Sequence, residues 1–333
     1  MPAPIVSLIL LVWNNHEYLP ACLKALQAQT FQDFEIVLVE NGSTNPDYLK
    51  DVRTDHPALK IVIERLETNA GFAAGNNIGA RLARGKWLAL LNADAFPEPD
   101  WLASLMRAAD HNPQFNAFTS RQIQFHTPDR LDGAGDSYHV SGLAWRKYYN
   151  RPVREYGLKS EEVFSACPAA ALYLRDEFLQ LGGFDEDYFS YFEDVDLGFR
   201  IRLSGGKCLY VPEAVVSHVG SGSTGRRSDF SVYHGYRNLI WTFVKNMPSP
   251  LIWFFLPVHI ATLSFFVTHL SLRGQGGVIG KAIFDALRAL PKMLQKRRLI
   301  QKNKKIKTGD LLKVMSTGLL EPYREFIQRN RMK

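Results

Sequence analysis

The densest group of reactive side chains in this sequence is Tyr191-Phe192-Glu193-Asp194-Val195-Asp196-Leu197, preceded by Gly182-Gly183-Phe184-Asp185-Glu186 and followed by Arg200. Aromatic residues crowd a cluster of acids at the start of a helical segment. A carboxylate held there could take the proton from a hydroxyl as it attacks, although acids at a helix start also simply complement the helix dipole. A second group, Asn92-Ala93-Asp94, directly follows the apolar run Trp87–Leu91. Asp94 offers oxygen ligands suited to Mg²⁺ or Mn²⁺, and such an ion can offset the charge of a diphosphate leaving group. The plainer role for Asp94 is a helix cap, with Pro97 and Pro99 shaping the turn. Glu40 and Asn41 enter a Gly42-Ser43 turn. There a carboxylate could accept the imide N–H of a pyrimidine base and Asn41 could bond base or ribose, while Asn-Gly is also ordinary turn chemistry. Finally, His218 closes an apolar run just before Gly220-Ser221-Gly222-Ser223. It could ligate a metal, contact a diphosphate, or serve the fold alone.

These groups need a frame that brings them together. Apolar runs at Ile5–Val12, Phe34–Val39, Leu59–Ile63 and Trp87–Leu91 read as strands, and Tyr18–Gln29 and Gly75–Ala83 read as helices between them. Continuous apolar strands alternating with helices indicate an α/β fold with a mostly parallel sheet covered on both faces. Ligands of such sheets sit beyond the carboxyl ends of the strands. Trp13-Asn14, Glu40-Asn41 and Asn92-Ala93-Asp94 occupy those ends. No G-x-G-x-x-G follows the first strand, which argues against a dinucleotide oxidoreductase. The Gly71–Gly75 segment lacks the Lys-Ser/Thr ending of a Walker phosphate loop.

The 333 residues carry a net charge of +7, and the excess is concentrated late in the chain. Three widely spaced cysteines, without a C-x-x-C pair, argue against a disulfide framework or zinc site and fit a reducing compartment. The N-terminal stretch lacks the basic leader and small-residue cleavage site of a secretory signal, so a cytoplasmic location is expected. Leu251–Leu272 contains no charged residue, just long enough to span the roughly 20-residue thickness of a bilayer core. Pro257 and two histidines favour an in-plane or re-entrant element over a span. Lys281–Lys307 then holds ten Lys/Arg against one acid, Asp285, with Ile283, Leu287, Leu290 and Leu294 at helical spacing. That pattern predicts a basic amphipathic helix on an anionic membrane surface. Nucleic acid is disfavoured because the basic cluster lacks interleaved aromatics and a reading surface.

Taken in order, these segments resemble the family 2 glycosyltransferases, most closely the rhamnosyltransferase-like branch. Val12-Trp13-Asn14 resembles the first-strand motif, and Val39-Glu40-Asn41-Gly42-Ser43-Thr44 the base-binding Val-Asp-Asn-Gly-Ser-Thr. Asn69-Ala70-Gly71-Phe72-Ala73-Ala74-Gly75-Asn76-Asn77 is similar to the segment beside the nucleoside, and Leu91-Asn92-Ala93-Asp94 to the metal motif. The Gly182–Glu186 and Phe192–Leu197 segments resemble the acceptor-side motif, and His218 a histidine often found before the Gly-Ser loop. The match runs from Val6 to about Ser223.

The resemblance implies a GT-A fold, with a catalytic domain at 1–245 and a helical membrane-associating extension at 246–333. It also implies inverting transfer of a sugar from a nucleotide-sugar donor. Asn14, Glu40, Asn41, Asn69, Gly71, Asn76 and Asn92 would bind that donor, Asp94 and His218 would hold Mg²⁺ or Mn²⁺, and Asp194, beside Glu193, would be the general base. dTDP-rhamnose is the favoured donor, with UDP-hexoses or UDP-hexosamines behind it, and a lipid-linked or polysaccharide acceptor at the cytoplasmic face of a bacterial inner membrane. Two departures stand out: Glu40 replaces the usual Asp, and Asn92 replaces the first Asp of the metal motif. A non-catalytic membrane-surface module that binds nucleotide-sugars is the alternative that these departures would favour. Arg226 and Arg227 are further candidates to neutralise a diphosphate.

Overall fold

A computed structural model describes residues 2–220, 228–318 and 321. Four parallel strands, β1 (Val6–Val12), β2 (Phe34–Asn41), β3 (Ile61–Leu66) and β4 (Trp87–Asn92), lie in the spatial order 3-2-1-4. They form because Val, Ile and Leu fill both faces, as a strand covered by helices on each side requires. The polar exception in β1 is Ser7, whose hydroxyl donates to Glu35 of β2 at 2.7 Å. Helices α1 (Leu19–Gln27) and α3 (Gly71–Leu82) make the main crossovers, and the short α2 (Val52–Asp55) precedes β3. Each expected element of this half is present, with ends shifted by a few residues. The chain order reverses between β1 and β4, which opens a crevice at their carboxyl ends.

The second half adds antiparallel strands. β5 (Ala95–Pro97) leads into α4 (Trp101–His111), then β6 (Ala117–Gln124), β7 (Thr127–Gly133), the hairpin β8 (Asp136–Tyr138) and β9 (Ala144–Arg146), and β10 (Glu161–Val163). β11 (Ala170–Leu174) runs antiparallel to β4 and β6 and joins the two halves. Helices α5 (Arg175–Gln180) and α6 (Glu193–Leu203) follow, and β12 (Cys208–His218) returns parallel to β6. Helix α6 is buried nearly all round, including Asp196, Arg200 and Arg202. Of the acids clustered at its start, only Asp194 keeps partial exposure, while Glu193 and Asp196 are buried.

Those buried charges are paired. Lys245, 1% exposed, places its ammonium 2.5 Å from Asp185 and 2.7 Å from Asp196. Arg200 completes the group, 2.8 Å from Asp196, and donates to the carbonyls of Leu181 and Gly183 at 2.7 Å each. Lys245 comes from α7 (Asp229–Asn246), so the network binds α7 to the start of α6.

Beyond α7 lie α8 (Ser249–Ser271), α9 (Gly276–Arg288), α10 (Leu290–Lys302) and α11 (Thr308–Lys313). Helix α8 is long and apolar enough to cross a membrane by length and composition. Leu251, His259, Thr262, Phe266 and Leu270 face inward, leaving Trp253 and Phe254 about three-quarters exposed. The His259 ring stacks on Phe243 at 4.0 Å and hydrogen-bonds the Ser141 carbonyl at 2.8 Å, in the turn between β8 and β9. The single amphipathic helix expected over Lys281–Lys307 is instead two, parted at Ala289 with Pro291 in the first turn of α10, where a missing N–H costs nothing. Its inward face is Ile279, Ala282, Ala286 and Met293, so Leu287 and Leu294 point outward. Part of its basic charge also turns inward: Lys292 and Lys296 pair with Asp187, and Lys296 also with Asp185.

Replacing Lys245 by Ala takes one partner from each of two buried carboxylates, leaving Asp185 to Lys296 and Asp196 to Arg200. The expected loss is about 3–5 kcal/mol of unfolding free energy in a denaturant titration; a loss below about 1 kcal/mol would show that the network does not hold α6 in place.

Candidate active site

A cleft of about 1020 Å³ lies at the carboxyl ends of β1 and β4 and reaches the start of α6. Its floor is made where β5 pairs with the end of β12, with Ala95 opposite His218. That register brings the Asp94 carboxylate to 3.4 Å from His218 Nε2, and both side chains are buried. Asn92 Nδ2 lies 3.4 Å from the same nitrogen. On its other side the ring bonds through Nδ1 to Asp132 Oδ2 at 2.8 Å. Burial opposes charge on this imidazole, yet Asp132 and Asp94 raise its pKa to about 9. Burial likewise works against the Asp94 anion, and His218 reverses that, holding the carboxyl below the usual range.

One flank of the cleft is built by asparagines. Asn41 donates to Asn69 Oδ1 at 2.9 Å and accepts the Ala70 N–H at 2.9 Å, and Asn69 accepts the Gly71 N–H at 2.8 Å. The pair clasps the start of α3, and Asn41, Asn69, Gly71 and Asn92 all line the cleft. Gly71 sits at φ +87°, where a β-carbon would come within 2.6 Å of Phe189, so only glycine fits. Three other residues singled out from the sequence do not reach the wall. Glu40 is buried, accepting the N–H groups of Ser43 at 2.6 Å and Gly42 at 3.3 Å. Asn14 accepts the Thr44 N–H at 2.9 Å and receives no place in the lining. Asn76 donates within α3 to the Phe72 carbonyl at 2.9 Å. Glu40 and Asn14 hold the turn at Gly42–Thr44, Asn76 is spent within α3, and Trp13 and Asn15 line the wall instead.

The opposite end of the cleft carries Glu193 and Asp194. The chain enters α6 through Phe189, Tyr191 and Phe192, all at positive φ of 64–68°. Such a turn costs energy at each residue and persists only where neighbours over-determine it. Asn238 of α7 does so, donating to the carbonyls of Tyr188, Ser190 and Tyr191 at 3.0, 2.9 and 2.7 Å. Arg237 adds a bond to the Tyr188 carbonyl at 2.9 Å. Asp194 accepts the Val195 N–H at 2.7 Å. Burial raises its proton affinity, and that amide and the Arg146 charge only partly offset the rise. Glu193 is raised well above the carboxylate range by burial and then by Asp194. Its Oε2 is buried with no hydrogen-bond partner among the described residues. Asp196 is spent on Arg200 and Lys245.

The donor set near β4 fits a hard divalent cation. Among the described residues no group of three or more His, Cys, Asp or Glu could enclose a metal. Mg²⁺ and Mn²⁺ sites that also bind phosphate need only one or two protein ligands, with water and phosphate filling the rest, and Asp94 and His218 supply two. Sequence reasoning missed Asp132, Asp136, Trp145 and Arg146, which also line the cleft. The available signal was the pair of aspartates framing Gly133-Ala134-Gly135. Arg226 and Arg227, with Ser221, Gly222 and Ser223 of the Gly-Ser loop, lie outside the described residues.

Residues 7–182 match the family model described as Glycosyl transferase family 2. The chain is 27% identical over 173 residues to EpsH of Bacillus subtilis, which covers 46% of this chain and 49% of that protein. It thus spans about half the length of that relative. It is also 27% identical over 251 residues to the N-acetylglucosaminyl-diphospho-decaprenol L-rhamnosyltransferase of Mycobacterium tuberculosis, covering 67% of this chain and 78% of that one. In fold it is similar to the mannosyltransferase PcManGT of Pyrobaculum calidifontis, solved with GDP-Man and Mn²⁺. That likeness has a TM-score of 0.55 at 18% identity and covers 87% of this chain and 88% of that one.

Proposed function

This chain belongs to glycosyl transferase family 2, and from that premise we propose that it transfers one sugar from a nucleotide-sugar to an acceptor hydroxyl by a single inverting displacement. The observation that carries this reading is one cleft lined both by the Asp94–His218 pair and by Asp194. Asp94 and His218 would hold Mg²⁺ or Mn²⁺, whose charge offsets that of the departing diphosphate. Asn41, Asn69, Gly71 and Asn92 bind the nucleotide-sugar along the asparagine flank. Glu40 and Asn14 contribute by fixing the turn at Gly42–Thr44, and Asn76 by its bond within α3. Asp194 takes the proton of the acceptor hydroxyl. Its raised proton affinity suits that task better than the usual Asp pKa of about 3.9, which makes a weak base. Glu193, whose proton affinity is raised by burial and by the Asp194 charge, stands beside it in the cleft lining.

The donor is proposed to be dTDP-rhamnose, a reading supported by the likeness to the mycobacterial rhamnosyltransferase. A UDP-hexose or UDP-hexosamine is the alternative within the same chemistry, and a screen of nucleotide-sugars by thermal shift with Mn²⁺ separates them. The acceptor is proposed to be a lipid-linked or polysaccharide glycan. Residues 246–333 would rest on the cytoplasmic face of the membrane. Exposed Trp253, Phe254, Phe284 and Leu299 beside the exposed cations Arg288, Arg298 and Lys302 support that placement.

Three outcomes follow. Asp194→Asn retains donor binding by calorimetry while turnover falls at least about 100-fold; near wild-type turnover would remove Asp194 from the mechanism. Because a base acts only when ionised, the rate should decline on the acid side of the pH profile. That decline should begin at a higher pH than an exposed Asp would give, and a limb centred at or below about 3.9 contradicts the assignment. In flotation assays the protein should bind vesicles containing anionic lipid and lose most of that binding at high salt; equal binding to neutral vesicles would exclude the electrostatic part of the surface reading.

A further inference from the structure

We infer that Asp132 and Arg146 are positioning residues that fix which nitrogen of His218 faces Asp94. The inference rests on the reading that Asp94 and His218 take a divalent cation. The two nitrogens of an imidazole are not equivalent, and the partner of one decides what the other can do. Asp132, in β7, is buried and accepts from His218 Nδ1 at 2.8 Å through Oδ2. With Nδ1 engaged by Asp132, Nε2 is the ring nitrogen that faces Asp94, where a cation would be held. A carboxylate in this place also raises the basicity of the ligand.

A buried carboxylate is costly unless it is paired. Arg146, in β9, supplies the pair, its guanidinium contacting the same Asp132 oxygen that accepts from His218. The Arg146 side chain is one-third exposed and lines the cleft. Asp132 and Arg146 stand 14 residues apart and His218 lies 86 residues beyond Asp132, yet the three meet at one oxygen atom. A fold staple needs only an ion pair. This arrangement adds a hydrogen bond to one specific ring nitrogen whose opposite face meets Asp94 at 3.4 Å.

The test uses the full chain titrated with Mn²⁺ alone, reading free Mn²⁺ from its electron paramagnetic resonance signal. Asp132→Asn should weaken Mn²⁺ binding about 10–100-fold, and raising Mn²⁺ should restore turnover, which a purely structural defect would not allow. Arg146→Met should weaken binding less, and Arg146→Lys should recover part of the loss. Asp94→Ala should abolish binding. If Asp94→Ala abolishes binding while Asp132→Asn and Arg146→Met bind as the wild type does, the positioning role is overturned and the cation site stands. If Asp94→Ala also binds as the wild type does, the cation site itself falls, and this inference with it. Should Asp132→Asn not fold, Asp132→Glu keeps the charge and displaces the oxygen, and is held to the same outcomes.

Discussion

The arrangement depends most on one buried ammonium. Lys245 has left water to sit between Asp185 and Asp196, and neither carboxylate is solvated well enough to stand without it. Asp185 lies just before the strained turn and Asp196 in the first turn of α6, so the cation closes the loop of chain that presents Asp194. Arg200 fastens the same loop from behind through the Leu181 and Gly183 carbonyls, and Asn238 clamps its tip. The left-handed residues Phe189, Tyr191 and Phe192 are affordable only inside that frame. The position of one partly exposed carboxylate is thus fixed by a charge cluster outside the cleft lining.

Within the cleft, two carboxylates are driven in opposite directions. Asp94 has a histidine beside it that lowers its proton affinity, while the proton affinity of Asp194 is raised by burial and only partly offset by the Val195 amide and the Arg146 charge. Environments that push two acids apart are how one site separates charge stabilisation from proton removal. The separation follows from the sheet, since β4 and β5 deliver the first acid and the closed turn before α6 delivers the second.

The parallel half of the fold was legible in the sequence because its strands are buried on both faces. Runs such as Val6–Val12 and Phe34–Val39 leave little alternative, and the residues after them must face the crevice. Asp94, His218 and Asp194 were legible for the same reason, each standing at the end of a strand or the start of a helix. Asp132 and Arg146 were not, because β7 and β9 are hairpin strands of mixed polarity with no continuous apolar run to mark them, and the contact of both residues with His218 is long-range. Composition placed Glu40 at a strand end but could not show that its carboxylate folds back onto Gly42 and Ser43. The break between α9 and α10 was readable from Pro291, yet helical spacing across Lys281–Lys307 masked it. The inward turn of Lys292 and Lys296 depends on Asp185 and Asp187, which lie about a hundred residues earlier.

The His259 imidazole gives α8 a mechanical link with the rest of the molecule. It clips the long apolar helix to the Ser141 carbonyl, in the tight bend of the hairpin whose second strand ends at Arg146. A displacement of α8 at this point would therefore reach the hairpin, a few residues from the Arg146 guanidinium.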